Sequence, residues 1–139
     1  MKALEMKPLY YAEQNARSHL ETIKELVAIL NTGGVSEGDQ LTSDEVIERI
    51  YQYPLSIEVR ASWHAIGETS TDDEYRLLLS TGGPACQLVG DLDTDGNPKS
   101  VKLQMQDWGT PWTNFGIDQD EKNALLNFAQ QFYTSGNRP

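Results

Sequence analysis

Leu55-Ser56-Ile57-Glu58-Val59-Arg60-Ala61-Ser62-Trp63-His64-Ala65 alternates without a break: every odd position is apolar and every even one polar. A period of two puts successive side chains on opposite faces of an extended chain, so the stretch predicts a strand with one buried and one wet face. Pro54 marks where the pattern begins, because it disfavours helical geometry in the residue before it. On either side of this strand the rest of the fold can be laid out.

Downstream come three more strands. Tyr75–Ser80 alternates imperfectly, Thr81-Gly82-Gly83-Pro84 turns it into Ala85–Leu92, and Asp95-Gly96 turns that into Lys99–Trp108. In the last of these, Val101, Leu103 and Met105 oppose Lys102, Gln104 and Gln106. A loop rich in Trp, Pro and Gly then leads to a final helix, capped by Asp118 with Glu121 and buried through Leu125, Phe128, Ala129 and Phe132. The tail from Ser135 is expected to fray.

Upstream the period is helical. Ala16, Leu20, Ile23, Val27 and Leu30 recur at three- and four-residue steps, predicting a helix over 9–31 with Glu13–Arg17 as a favourable pair and Gly33-Gly34 as its stop. A second helix starts at Thr42, whose hydroxyl and Glu45 form a capping box, and ends near Tyr53. Helix, helix, four strands joined by short turns, helix: this order predicts an α+β, two-layer single domain over 1–139. A four-stranded antiparallel meander sheet would have three helices packed on one face.

Composition narrows the function. The chain has 139 residues, with 11 Lys and Arg against 21 Asp and Glu, a net charge of −10. Such an acidic chain lacks the basic footprint that nucleic acid or anionic lipid requires. A single cysteine, Cys86, excludes an intrachain disulfide framework and suits a reducing compartment. The N-terminal residues carry no apolar signal core, and no stretch approaches the roughly 20 apolar residues of a membrane helix. A cytoplasmic protein with no membrane, nucleic-acid or cofactor dependence is the expectation.

Three groups of residues invite chemistry. Asp91-Leu92-Asp93-Thr94-Asp95-Gly96 opens like a calcium loop, which makes Asp91, Asp93 and Asp95 candidate metal ligands. The twelfth position of such a loop is Lys102, however, and strands rather than helices flank it, so a hairpin turn is the simpler reading. Cys86 and His64, with Asp107 as orienter, suggest a thiol nucleophile, but strand parity points Cys86 inward and His64 outward. With no assembled nucleophile, base and oxyanion set, no catalytic residue is assigned.

The third group is the wet face of the sheet. Parity places Glu58, Arg60, Ser62, His64, Arg76, Leu78, Gln87, Val89, Lys102, Gln104, Gln106 and Trp108 there, and no helix remains to cover it. Arg60, His64, Arg76, Lys102, Gln104, Trp108 and Trp112, with the acidic run Asp72, Asp73 and Glu74, are the candidate partner-binding residues. Arg and Trp combine reach with contact area, as interfaces require.

Residues 75–112, through Tyr75-Arg76-Leu77-Leu78-Leu79-Ser80-Thr81-Gly82-Gly83-Pro84 and Gln106-Asp107-Trp108-Gly109-Thr110-Pro111-Trp112, resemble small uncharacterised proteins of phages, plasmids and other bacterial mobile elements. The resemblance implies an accessory protein that binds and blocks a host protein or complex, in defence or nucleic-acid handling. It carries no active-site motif. The leading expectation is therefore a non-enzymatic, acidic protein–protein interaction module. The alternative is a small-ligand or metal-binding domain, with hydrolytic potential, at the Asp91–Asp95 turn.

Overall fold

The computed structural model describes residues 9–32, 42–68 and 72–132. Their elements run α1 (Tyr10–Asn31), α2 (Ser43–Gln52), β1 (Ser56–Arg60), β2 (Glu74–Ser80), β3 (Ala85–Asp91), β4 (Lys102–Gln106), β5 (Thr113–Asn114) and α3 (Gln119–Gln130). The fold is α+β, with one open antiparallel sheet in the order β1-β2-β3-β4-β5. The expected four strands are thus one short: Thr113–Asn114 adds a fifth by pairing with Gln104 and Met105. Two residues carry no periodicity, which is why the strand leaves no trace in the sequence.

Local signals set the helices. Thr42 and Asp118 each accept a hydrogen bond from the backbone N–H three residues on, while Glu45 and Glu121 reach back, completing two capping boxes. The bond that Thr42 makes to the Glu45 carboxylate holds its pKa below the ordinary value. In α1, Arg17 does not take Glu13 as expected. It meets Glu21 at 3.7 Å and reaches across to Glu121 of α3 at 3.2 Å, with its guanidinium 4.9 Å over the Phe115 ring. A partner on another element thereby competes successfully with the one along the helix. Gly33-Gly34 and the tail from Ser135 lie outside the described residues, and α1 gives way at Thr32.

Register explains the core. Ile57, Leu77, Leu88 and Leu103 stand side by side across β1 to β4, and the last three are essentially fully buried. They join Leu20 and Ile23 of α1, Val46 and Ile50 of α2 and Leu125 and Phe128 of α3 in a common apolar cluster. α1 lies mainly against β3 and β4, and α2 and α3 both contact α1. Each of these larger side chains contributes about 1.5–3 kcal/mol on leaving water.

A close approach fixes β3 against the chain beyond it. A Cβ at Gly90 would sit 2.0 Å from the Ser100 carbonyl oxygen and 2.8 Å from the Tyr75 ring, so only glycine fits. Tyr75 lies across the position and donates its O–H to that same carbonyl at 2.7 Å.

The predicted strand over 55–65 is cut short. Its ladder ends at Arg60, whose carbonyl accepts from Asp73 N at 2.9 Å. The Asp73 carboxylate then takes the Ser62 N–H (3.2 Å) and O–H (2.6 Å), replacing a backbone partner with a side chain. The expected inward positions fare accordingly: Leu55, Val59, Trp63 and Ala65 are exposed, because β1 is an edge strand beyond the main reach of α1. The strand expected over Lys99–Trp108 contracts similarly to Lys102–Gln106.

Candidate functional site

Three rows of side chains cross the outer face of the sheet. Ser56, Leu78, Gln87, Gln104 and Asn114 form one, Glu58, Arg76, Val89 and Lys102 the next, and Arg60, Glu74 and Asp91 the third. Alternation along each strand makes these rows opposite in sense to the Leu77–Leu88–Leu103 row of the core. Arg76 Nε donates to Glu58 Oε1 at 2.8 Å and Arg60 Nε to Glu74 Oε1 at 2.5 Å, so two cross-strand ion pairs brace the first two strands. Both are exposed enough for water to screen them, and each is worth about 0.2–1 kcal/mol. Lys102 has no carboxylate within ion-pair distance among the described residues.

Gln87 differs from its outer-face neighbours. Its side chain is buried, at 4% exposure, although its strand position faces outward. Its Nε2 donates to Gln104 Oε1 at 2.8 Å, and Gln104 Nε2 donates to Asn114 Oδ1 at 3.0 Å, forming an amide chain over β3, β4 and β5. Gln87 Oε1 ends the chain without a donor among the described residues. A buried acceptor left unpaired costs about 1–3 kcal/mol, so most folds avoid one.

These rows line a groove of about 520 Å³ that brings together Arg60, Arg76, Lys102, Gln104 and Trp112 of the expected partner-binding residues, with Glu74. The volume is within the usual range for ligand clefts, about 300–1,000 Å³. His64 stands apart: it lines an adjoining hollow of about 560 Å³ with Arg60, Ser62 and Trp63. Trp108 lies against Gly83, where a Cβ would meet its indole nitrogen at 2.2 Å, and remains 80% exposed. Asp72 is exposed, and Asp73 is committed to Ser62. Sequence parity found most of this face; it missed the burial of Gln87, which no local pattern encodes.

The other candidates are not assembled. Asp93 Oδ1 accepts from Asp95 N (2.9 Å) and Asn97 N (3.0 Å), the hydrogen bonds of a turn, and Gly96 takes a positive φ of 86° within it. Asp91 Oδ2 accepts from Ser100 Oγ at 3.2 Å. No group of three His, Cys, Asp or Glu side chains is placed to hold a metal ion among the described residues. Cys86 is buried, and burial pushes its thiol up to about 12, which leaves it protonated and unreactive at neutral pH. His64 is exposed and lies beyond the end of β1, with Nδ1 3.2 Å from the Ala65 carbonyl oxygen. Asp107 serves its own turn by accepting from Trp108 N at 2.8 Å.

His19, a boundary residue by sequence, proves to be a joint. Its Nδ1 is 2.6 Å from the Tyr53 hydroxyl and its Nε2 is 3.2 Å from Ser80 Oγ, which donates to Asn15 Oδ1 at 3.1 Å. That chain of donors suits a neutral ring protonated on Nε2, and burial lowers its pKa in the same sense. It ties α1 to β2 and to the end of α2.

No helix among the described residues is long and apolar enough to cross a membrane. No family model matches the chain, and neither a curated protein nor a solved structure matches it.

Proposed function

We propose that the chain is a non-enzymatic module that binds a protein partner through the outer face of its sheet. The observation that carries this reading is the groove over β1 to β4, lined by Trp112 and by Lys102, whose ammonium has no ion pair among the described residues. Interfaces concentrate energy at aromatic and cationic anchors surrounded by polar contacts, and this face supplies that mixture. The reading takes all three helices to lie on the opposite side, leaving the face to solvent. Its partner is a protein or protein complex of the cytoplasm, without nucleic acid. The resemblance of residues 75–112 to mobile-element proteins points to a host complex that the module blocks.

Charge divides the work. The molecule as a whole carries −10, which draws a basic partner from a distance. The groove itself pairs most of its own charges and provides the short-range contacts. Capture from host-cell lysate at low and high salt tests both parts, comparing the wild type with a Lys102→Glu, Trp112→Ala double variant. Lys102 is exposed and Trp112 half-buried, and a thermal melt checks that the variant is folded. The expected result is a protein retained by the wild type, weakened by salt screened over roughly 8–10 Å, and lost with the double variant. Equal capture of the same proteins by both forms would overturn the reading.

A further inference from the structure

We propose that β1 is a dimerisation edge. Two copies of the chain pair antiparallel through residues 55–63, about a two-fold axis at Val59, and join their sheets into one. This inference concerns the edge of the sheet and does not rest on the outer-face reading.

The first ground is geometric. β1 ends the strand order, so one side of its backbone has no ladder partner within the sheet. Unpaired N–H and C=O groups along such an edge are a template for another strand. The alternation of the sequence also runs past the ladder: residues 61–65 keep the strand pattern but have no strand partner among the described residues, where the Asp73 side chain meets them at Ser62 instead. Leu55, Val59 and Trp63 share one face by parity and are 61%, 37% and 101% exposed. A strand pattern longer than its ladder, with its apolar face in water, indicates a missing partner.

The second ground identifies that partner as another copy. Residues equidistant from Val59 complement one another: Glu58 with Arg60, Ile57 with Ala61, Ser56 with Ser62, and Leu55 with Trp63. In an antiparallel pair centred on Val59, each of these faces its complement across the axis. Neighbouring registers fail, because centring on Glu58 or on Arg60 sets that charge against itself. Charged residues on an edge commonly prevent pairing. Here their order favours the register centred on Val59, the one that sets Glu58 against Arg60, over its two neighbours.

The existing ion pairs extend the match. Arg76 faces Glu58 and Glu74 faces Arg60 within one chain. Across the axis, Glu58 would face Arg60 of the second copy, so that Arg76, Glu58, Arg60 and Glu74 form a row of alternating sign through both sheets. The arrangement uses the same edge twice and closes on itself. β5, at the far side of the sheet, has only two residues and offers little edge for further growth.

The test is the mass of the full chain in solution, by light scattering over a concentration series. The wild type is expected to reach twice the 15.6 kDa of one chain as concentration rises. Glu58→Arg alone and Arg60→Glu alone each set like charges together and are expected to stay monomeric, while an equimolar mixture of the two restores opposite charges and the dimer. Trp63→Ser, at a residue exposed in the single chain, provides a second arm and is expected to weaken the dimer about tenfold. Thermal melts check that each variant is folded. A wild type that stays monomeric throughout would overturn the proposal and leave the edge to a different protein. A mixture of folded charge variants that fails to associate, or a dimer unaffected by them and by Trp63→Ser, would equally overturn it.

Discussion

β1 and β3 invert what their sequences lead one to expect. Residues 55–65 alternate without fault, yet only Ser56–Arg60 form a strand, and most of it is exposed. Ala85–Asp91 alternates poorly, yet its first four residues are all buried, including Gln87 on the outer side. Alternation records that a strand meets two different environments, not that either has been supplied by its own chain. β3 reads poorly because Gln87 is buried on its outer side as Cys86 and Leu88 are on its inner side; the stretch around β1 reads well although its apolar Leu55, Val59 and Trp63 lie in water.

Truncation should separate the two strands most strongly. Leu88→Ala in β3 removes a fully buried side chain from the centre of the inner row. It is expected to lower stability by about 2–5 kcal/mol in denaturant titrations. Val59→Ala in β1, measured at low protein concentration, is expected to cost less than about 1 kcal/mol. Comparable losses at the two positions would mean that β1 is as firmly held as β3.

A smaller effect tests the polar side of β3. Gln87→Met keeps roughly the same length while removing the acceptor that has no donor. The Gln104 carbonyl that loses its partner is only half-buried and can turn to water. The variant is expected to equal the wild type in thermal stability or exceed it by under about 1 kcal/mol. A clear loss would show that the amide chain over β3, β4 and β5 contributes to holding the sheet.

Where a structural cause is local, the sequence carried it. Thr42 with Glu45 and Asp118 with Glu121 fixed two helix starts because each cap is completed within four residues. The Asp95-Gly96 turn and the inward direction of Cys86 were equally legible. What escaped depends on distant neighbours. Arg17 exchanges Glu13 for Glu121, Gln87 becomes buried on a face expected to be wet, and the ladder of β1 stops where the Asp73 side chain takes Ser62. The candidate groove shows the same division: parity placed Arg60, Arg76, Lys102 and Gln104 on one face, while the entry of Trp112 and the exclusion of His64 follow from loop paths.

Whether the free side of β1 is an interface is tested most directly by amide hydrogen exchange on the full chain at low and high protein concentration. The expected result is that amides of residues 57–61 exchange more slowly as concentration rises, while those of Leu88 and Val89 stay protected throughout. Exchange in β1 that is fast and independent of concentration would contradict it.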